Sequence, residues 1–150
     1  MRRRFRRKAE QAVTAVRLQL DFDALTYRKW GDTQTARAGD WLVDNGGDVY
    51  TVESESFART YTEVGPGRFI KTAPVWAEQA RSAGSVRTKE GHTHYAAGDW
   101  LVSNTEDGGD AYAISAATFE RLYEPDVSRE ATRREAVKPG AKRVRRASRR

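Results

Sequence analysis

The stretch GDWLVDN at residues 39–45 recurs 59 positions later as GDWLVSN at residues 98–104. In both copies the Gly-Asp pair predicts a turn, because glycine tolerates a positive φ and an aspartate side chain accepts hydrogen bonds from nearby backbone. The Trp-Leu-Val run that follows has high β propensity and predicts a strand. The glycine-rich stretch NGGD at 45–48 then predicts a hairpin with a return strand over residues 49–52. The repeated stretch is therefore the centre of a β structure.

A second register of 62 positions extends the repeat beyond this stretch. It carries GDVY at 47–50 onto GDAY at 109–112, and FARTY at 57–61 onto FERLY at 119–123. The three-residue change of offset is an insertion at 105–107, and insertions collect in surface turns. Self-similarity of this kind predicts an internal duplication of one small module.

The predicted fold class is mainly β with short α elements. Each copy is expected to form a small four-stranded antiparallel module, a β-roll or an SH3-like barrel, closed by a short helix. In the first such helix, Phe57 and Tyr61 are four residues apart, which places both rings on one face. The second helix is expected to carry Phe119 and Tyr123 and to stop at Pro125.

The first strand of the first copy is predicted from a loose alternation of apolar and polar residues. Strict alternation is typical of a half-buried strand, with the apolar side chains directed inward. The apolar positions are Val16, Leu18, Leu20 and Phe22.

Five segments are predicted along the chain, with basic flexible tails outside the two modules. They are a basic N-terminal arm (1–12), a first β-module (13–64), a linker (65–71), a second β-module (72–125) and a basic C-terminal tail (126–150). Because neither tail belongs to a module in this prediction, removal of residues 1–12 and 125–150 is expected to leave a folded protein with an unchanged thermal midpoint.

The charge is divided unevenly between these segments. Residues 1–12 carry a net charge of +5 and residues 125–150 one of +7, whereas residues 13–124 carry −6. Arginine-rich segments suit bidentate contact with phosphate and bind nucleic acid by releasing counterions, without reading sequence. Nucleic acid is therefore a candidate partner of the tails, through Arg2, Arg3, Arg4, Arg6, Arg7, Lys8, Lys142, Arg143, Arg145, Arg146, Arg149 and Arg150. Three alternatives stay open: the arms fold back on the acidic body, contact anionic lipid, or serve solubility alone.

Composition excludes several kinds of chemistry. The chain has no cysteine, which rules out a disulfide, a thiolate nucleophile and a zinc-finger framework. The basic start lacks the apolar stretch of an export signal, and no run of about 18 apolar residues is present that could span a membrane. We therefore expect a cytoplasmic protein without a membrane span.

The repeated aromatic and acidic residues have two interpretations each. Trp41, Tyr50, Trp100 and Tyr112 are candidate ligand-binding residues on a face of each module, but an aromatic side chain in so small a module is more often core. The two aspartates of the repeat are candidate paired carboxylates, but duplication of a turn also duplicates its aspartate. We favour the turn role for Gly39, Asp40, Gly98 and Asp99.

The two histidines are the only other candidates for chemistry. On a strand, His92 and His94 would face the same way and can reach one Zn²⁺, with Asp99 or Glu90 as a third ligand. The first copy has threonine at the equivalent positions, and exposed histidines are far more often solvated than metal-bound. No nucleophile–base pair, phosphate-binding loop or dinucleotide motif is present. We therefore assign no catalytic residue, no metal and no cofactor.

The chain resembles bacterial and phage modules of the PGDYG type, named for a Pro-Gly-Asp-Tyr-Gly signature. The resemblance covers residues 16–63 and 72–125. It departs from the signature where alanine replaces proline, Trp replaces Tyr and Leu replaces the last Gly. The resemblance implies a small β fold and no established biochemical activity. The matching positions are Gly39, Asp40, Trp41, Phe57 and Tyr61 in the first copy and Gly98, Asp99, Trp100, Phe119 and Tyr123 in the second.

These observations favour a non-enzymatic binding or adaptor protein. In this hypothesis the tandem modules bind a protein or a small ligand, and the basic arms contact nucleic acid or another polyanion without specificity. Two alternatives remain: a metal-dependent hydrolase that uses His92, His94 and Asp99, and a phage-type structural or accessory protein.

Overall fold

The computed structural model describes residues 1–127, which form fourteen short strands and two short helices. The strands of the first half are β2 (Val13–Arg17), β3 (Leu25–Lys29), β4 (Asp32–Ala36), β5 (Trp41–Asn45), β6 (Asp48–Val52), β7 (Tyr61–Gly65) and β8 (Arg68–Lys71), with helix α1 (Ser54–Thr60) between β6 and β7. The other strands are β1 (Arg3–Arg7), β9 (Val75–Gln79), β10 (Gly84–Arg87), β11 (His92–Tyr95), β12 (Trp100–Ser103), β13 (Ala111–Ile114) and β14 (Tyr123–Pro125), with helix α2 (Ala116–Leu122) before β14.

The strands form two five-stranded antiparallel sheets and two separate hairpins. The first sheet has the order β6-β5-β2-β8-β7 and the second β13-β12-β9-β1-β14, while β3-β4 and β10-β11 form the hairpins. The registers agree as well, since Ala15 pairs with Val43 in the first sheet and Ala77 with Val102 in the second. The mainly β fold class is confirmed. The duplication stays a prediction, which the matching strand orders support.

The sheets are larger and more open than predicted. Each module has a five-stranded sheet and a hairpin instead of four strands, and no closed barrel is found in residues 1–127. The expectation of an SH3-like barrel is therefore wrong, because the end strands of each sheet do not pair with one another.

The N-terminal segment is a strand of the second sheet. Strand β1 lies between β9 and β14 and pairs with both. Phe5 is buried, with its ring centroid 5.4 Å from that of Trp100 and 4.8 Å from that of Phe119. The prediction of a flexible arm at residues 1–12 is therefore wrong for this strand, because a single aromatic residue and its backbone hydrogen bonds hold an otherwise charged segment in the core.

Strand β8 has the same place in the first sheet. It lies between β2 and β7, and its Phe69 pairs with Val13 as Phe5 pairs with Val75. The prediction of a linker at residues 65–71 is wrong for the same reason, since Arg68–Lys71 is a central strand. Each sheet is completed by a short Arg-Phe strand that lies outside the repeated sequence.

The two repeated motifs meet in the core of each module. Trp41 stacks on Phe57 with ring centroids 4.2 Å apart, and Phe57 stacks on Tyr61 at 4.5 Å. In the second module the corresponding distances are 4.1 Å for Trp100 and Phe119 and 5.1 Å for Phe119 and Tyr123. The Gly-Asp-Trp strand and the Phe-x-x-x-Tyr segment therefore recur together because they supply one stack of three rings.

Each helix ends one residue before the tyrosine of its Phe-x-x-x-Tyr motif, so Tyr61 and Tyr123 are not helical. Helix α1 is capped by the Glu53 carboxylate, which accepts from the backbone N–H groups of Glu55 and Ser56. Helix α2 is capped by the Ser115 hydroxyl. The tyrosines that follow have extended backbone and begin strands β7 and β14. This change of direction turns both rings toward the space between the modules.

Strand β2 alternates between buried and exposed residues as predicted, but Val16, which the pattern predicts to face inward, faces solvent. Val13 and Ala15 are buried, whereas Val16 is 57% exposed. The strand ends at Arg17, before the remaining apolar positions of the pattern. A shift of one residue exchanges the two faces of a strand, and the pairing of Ala15 with Val43 decides which face is inward here.

Replacement of Phe5 tests the role of β1. Phe5→Ala should lower the free energy of unfolding by about 3–5 kcal/mol, because it empties a ring-sized space beside the stacked rings of Trp100 and Phe119. The measurement is urea denaturation followed by tryptophan fluorescence. Leu20→Ala is the control, since Leu20 is 68% exposed and its loss should change stability by less than about 0.5 kcal/mol. Equal stability of the Phe5 variant and the native protein would show that residues 1–12 are a free arm.

Candidate functional site

A cavity of about 370 Å³ lies between the two modules. Its walls come from equivalent elements of the two sheets, namely the ends of β1 and β8, the outer strands β6 and β13, and the starts of β7 and β14. The side chains that these elements contribute are Arg7, Lys71, Tyr50, Tyr112, Tyr61 and Tyr123.

The two cations occupy equivalent places. Arg7 pairs with Tyr123 across β1 and β14, and Lys71 pairs with Tyr61 across β7 and β8. Both side chains cross to the other module: Arg7 Nη2 donates to Tyr61 Oη at 3.2 Å, and Lys71 Nζ donates to Tyr112 Oη at 2.8 Å. The two strands from outside the repeat therefore place one positive charge each in the shared cavity.

The cations are held against the faces of the tyrosine rings. The Arg7 guanidinium lies 5.3 Å from the ring centroid of Tyr123 and 6.0 Å from that of Tyr61. The Lys71 ammonium lies 4.9 Å from the ring of Tyr112 and 5.9 Å from that of Tyr61. Cation–π attraction offsets part of the cost of burying the two charges.

Neither cation has an anionic partner. The exposed fractions of Arg7 and Lys71 are only 6% and 5%. Within residues 1–127, no carboxylate lies within 4.0 Å of either charge. Arg7 Nε and Nη1 also have no hydrogen-bond partner among these residues. A buried charge without a directly contacting counter-charge costs stability, so the part of the cavity around Arg7 and Lys71 holds positive charge that no described carboxylate contacts.

Four carboxyl groups of residues 1–127 line the cavity, and each has other partners. Asp48 Oδ1 lies 2.8 Å from Lys29 Nζ, and Asp99 accepts from the backbone N–H of Ala96 at 2.9 Å. Asp110 accepts from Ser56 Oγ at 2.6 Å and from Asn104 Nδ2 at 2.9 Å, and it lies 3.5 Å from Arg59 Nη2. Glu90 accepts from the backbone N–H of Glu53 at 2.8 Å. Burial raises the pKa of Glu90 to about 7, so this group contributes less than a full negative charge near neutral pH.

Burial in the cavity also shifts the pKa values of its lysine and of three of its tyrosine side chains. Burial, and then the charge of Arg7, lowers the pKa of Lys71 to about 7. Burial raises the pKa of the Tyr50, Tyr112 and Tyr123 hydroxyls. At neutral pH these tyrosines are therefore neutral phenols, which donate as well as accept hydrogen bonds.

Trp30 lies at the rim of the cavity in a strained conformation. It occupies the tip of the β3-β4 hairpin with φ +58°, and Gly31 follows with φ +85°. A positive φ is rare for a bulky residue. The Trp30 ring lies 5.8 Å from that of Tyr50, and the Trp30 carbonyl accepts from the backbone N–H of His94 at 3.0 Å. The hairpin of one module thus meets the β10-β11 hairpin of the other at the rim.

The four aromatic residues predicted as ligand-binding are divided by the structure. Trp41 and Trp100 pack against the two hydrophobic cores. Tyr50 and Tyr112 also pack against these cores, and both line the cavity. The two tyrosines are thus placed where a ligand can contact them, while the two tryptophans serve the ring stacks.

The repeated Gly-Asp pairs lie in turns. Gly39 and Gly98 have φ angles of +92° and +95°. The Asp40 carboxylate accepts from the backbone N–H groups of Arg37 and Ser54, and that of Asp99 from the backbone N–H of Ala96. Only Asp40 therefore ties its turn to the following helix.

The histidines lie on β11, next to the rim. His94 Nε2 is 3.5 Å from Asp32 Oδ2, with both side chains largely exposed. In the part of the chain that the structure describes, no three His, Asp or Glu side chains form a group able to hold a metal ion. The proposed ligand set of His92, His94 and Asp99 or Glu90 is therefore not assembled.

The N-terminal basic residues contact the second module. Arg4 Nε is 3.1 Å from Asp126 Oδ2, and Arg6 Nε donates to Glu124 Oε2 at 2.8 Å. Arg2 Nη1 is 3.7 Å from Glu78 Oε2, and Lys8 Nζ donates to the Glu120 carbonyl. This arrangement matches the alternative in which the arm folds back on the acidic body. The C-terminal candidates, Lys142, Arg143, Arg145, Arg146, Arg149 and Arg150, lie outside the described residues.

Sequence reasoning did not identify Lys71 as a site residue and placed Arg7 in a nucleic-acid arm. It assigned Tyr61 and Tyr123 only to the helical segments that close the two modules. A signal for Arg7 and Lys71 is present in the sequence: Arg-Phe-Arg-Arg at 4–7 corresponds to Arg-Phe-Ile-Lys at 68–71. The correspondence is hard to see because one copy precedes the first repeat and the other follows it. The pairing of β1 with β9 and β14 reveals the equivalence.

Comparisons with family models, with curated proteins and with solved structures find no match to this chain. The resemblance to PGDYG-type modules therefore stays a prediction. Neither helix of residues 1–127 is long and apolar enough to cross a membrane.

The pKa of Lys71 predicts a dependence of stability on pH. Its value of about 7 in the folded protein lies below the ordinary value of 10.5, so the unfolded chain binds more protons between these values. The free energy of unfolding should therefore rise with pH in this interval, with a contribution from Lys71 of about 2–3 kcal/mol between pH 7 and 9. The measurement is urea denaturation of the native protein and Lys71→Met at several pH values. The free energy of unfolding of the native protein minus that of Lys71→Met should increase with pH. The free energy of unfolding of Lys8→Met, a variant outside the cavity, should run parallel to that of the native protein. Parallel curves for Lys71→Met would contradict the assignment.

The strain at Trp30 predicts that two substitutions that both remove its ring will differ in their effect on stability. Both Trp30→Asn and Trp30→Ala remove the ring, but asparagine tolerates a positive φ at a hairpin tip before glycine far better than alanine does. The asparagine variant should therefore be more stable than the alanine variant by about 0.5–1 kcal/mol. Thermal denaturation measures the difference. Identical midpoints would mean that the turn relaxes when the ring is removed.

Proposed function

We propose that this protein is a non-enzymatic binding protein that holds a small ligand in the cavity between its two modules. The observation that carries the proposal is the pair of buried basic side chains, Arg7 and Lys71, which line the cavity with no carboxylate of residues 1–127 within 4.0 Å of either charge. Small-molecule sites are typically concave, lined by aromatic side chains and provided with a few convergent polar groups. The cavity has all three properties.

The aromatic walls support binding of a ligand with a flat or apolar part. Tyr50, Tyr61, Tyr112 and Tyr123 line the cavity, and tyrosine combines a large contact surface with a hydroxyl group. Because the tyrosines come in equivalent pairs from the two modules, a bound ligand would contact both. The proposed role of the duplication is thus to build one site between two copies.

A second part of the proposal concerns nucleic acid or other polyanions. Several N-terminal arginines face carboxylates of the second module, so this part depends on residues 128–150, which contain ten Arg and Lys and two Glu. Contacts of this kind are weak, independent of sequence and sensitive to salt. The adaptor hypothesis then joins a ligand site in the body to a loose polyanion contact at the C-terminal end.

The polyanion contact is tested by fluorescence anisotropy of labelled mixed-sequence DNA and RNA. The full chain should bind at about 50 mM salt and release the probe near 200 mM salt, and deletion of residues 128–150 should abolish binding. Arg3→Ala is the control that removes one N-terminal charge, and it should leave binding nearly unchanged. Undiminished binding after the deletion would place the contact on the body.

The ligand site is tested with four small aromatic probes that share one ring and differ in charge. They are benzamide, benzylamine, benzoate and phenyl phosphate. At least one should bind the full chain, as detected by saturation-transfer NMR, and should shift ¹⁵N resonances of Tyr50, Tyr61, Tyr112 or Tyr123. Val64→Phe, at a position 54% exposed, is a control that should leave binding unchanged. If none of the probes shifts these resonances at millimolar concentration, the cavity is not a ligand site of this kind.

A further inference from the structure

We infer that the ligand carries an oxyanion group, a carboxylate or a phosphate, which lies between Arg7 and Lys71. This inference rests on the proposed function and specifies the chemistry of the ligand. It follows from the charge of the cavity, the free hydrogen-bond donors on its walls and the way in which the tyrosine faces are already occupied.

An anion would compensate the charge of Arg7 and favour the protonated form of Lys71, which is only partly protonated at neutral pH because its pKa is about 7. Arg7 and Lys71 are both nearly inaccessible to water and lack a carboxylate partner within the described residues. Asp110, the carboxylate whose charge acts on Lys71, is bound by Ser56 and Asn104. A ligand with a negative group would therefore supply a counter-charge that the fold itself does not provide.

The free donors are suited to oxygen acceptors. Arg7 Nη2 gives one N–H to Tyr61, while Nε and Nη1 have no acceptor in the described part of the chain. The Lys71 ammonium has three N–H groups and uses one for Tyr112. Guanidinium and ammonium groups form their strongest hydrogen bonds with carboxylate and phosphate oxygens.

The phenols extend this set of donors. Tyr61 Oη and Tyr112 Oη each accept a hydrogen bond from a cation, so each keeps its own proton for donation. The hydroxyl groups of Tyr112 and Tyr123 are 3.1 Å apart and share one hydrogen bond, so this pair keeps one O–H for a ligand. Two cations and the neutral phenols around them thus present N–H and O–H groups to the same space.

A cationic ligand is disfavoured by the same contacts. Aromatic cages bind cations when the ring faces are free. Here the guanidinium of Arg7 lies against Tyr61 and Tyr123, and the ammonium of Lys71 lies against Tyr112. The protein's own charges already occupy these faces and would repel a second cation.

The test compares ligands that differ only in the anionic group. Inorganic phosphate, benzoate, phenyl phosphate and the neutral benzamide are titrated into the full chain at constant ionic strength, with isothermal calorimetry as the measurement. Benzoate or phenyl phosphate should bind at least tenfold more tightly than benzamide. Preference for benzoate identifies a carboxylate, whereas binding of phenyl phosphate and inorganic phosphate identifies a phosphate.

Matched variants locate the anion. Lys71→Met and Arg7→Met should each weaken anion binding at least tenfold. Arg68→Met and Arg6→Met are controls that remove the same charge from the same strands outside the cavity, and they should change binding less than twofold. Removal of a buried unpaired charge should leave the Lys71 variant folded. If Arg7→Met is unfolded, Arg7→Lys and Tyr61→Phe replace it, each with an expected loss of at least threefold.

Three results would overturn the inference. One is binding of benzamide as tight as that of benzoate and phenyl phosphate, which would leave the proposed ligand site in place but show that it does not select an oxyanion. The second is anion binding that the control variants weaken as much as Lys71→Met does, which would indicate attraction to the surface charge alone. The third is the absence of binding by every probe, which would also reject the proposed function.

Discussion

The structure depends on the pairing of β1 with β9 and β14. Without it, the second sheet would consist of two parts, because β9 and β14 are not neighbours in it. In the first module the same gap is filled by β8, which follows the other strands of that sheet in the chain. The second module obtains its strand from the N-terminal end instead, so its strand β1 comes before the first module in the chain and its other strands come after that module. The same pairing carries Arg7 into the cavity, which means that one set of backbone hydrogen bonds completes both the fold and the site.

The two buried basic side chains of the candidate site lower the stability of the fold. The chain contains enough acidic residues to neutralise Arg7 and Lys71, and Asp110 and Glu90 both lie on the cavity wall. These carboxyls are nevertheless engaged with Ser56, Asn104 and the backbone of Glu53. Among the described residues, the two cations are in direct contact with aromatic faces and phenol oxygens, which are weaker partners than a carboxylate. Proteins often accept such local losses of stability at functional sites, and Trp30, with its positive φ at the rim, is a second instance in the same place.

Much of the fold was predictable because local rules and the tertiary structure agree. The repeated turns at Gly39 and Gly98, the strands that follow them and the two short helices lie where glycine preferences, β propensity and ring spacing place them. The errors occurred where tertiary contacts override local pattern. Val16 faces solvent because the register of β2 against β5 directs Ala15 inward. The Arg3–Arg7 segment is a strand because one buried phenylalanine suffices between two partner strands, and a composition argument cannot detect one residue in a run of charges.

Only some residues of the candidate site could be predicted from the sequence, for a related reason. Tyr50 and Tyr112 were predicted as ligand contacts because they belong to the repeat, and Arg7 was noticed only as one of many arginines. The sequence by itself determined the repeated modules' turns, strands and ring-forming residues, since these depend on neighbours close in the chain. Only the tertiary structure decided which short strand completes each sheet, which face of β2 is buried, and that Arg7 and Lys71 meet four tyrosines in one cavity. Those features depend on pairing between residues far apart in the chain, from Ala15 with Val43 to Arg7 with Tyr123, and no local pattern encodes such a pairing.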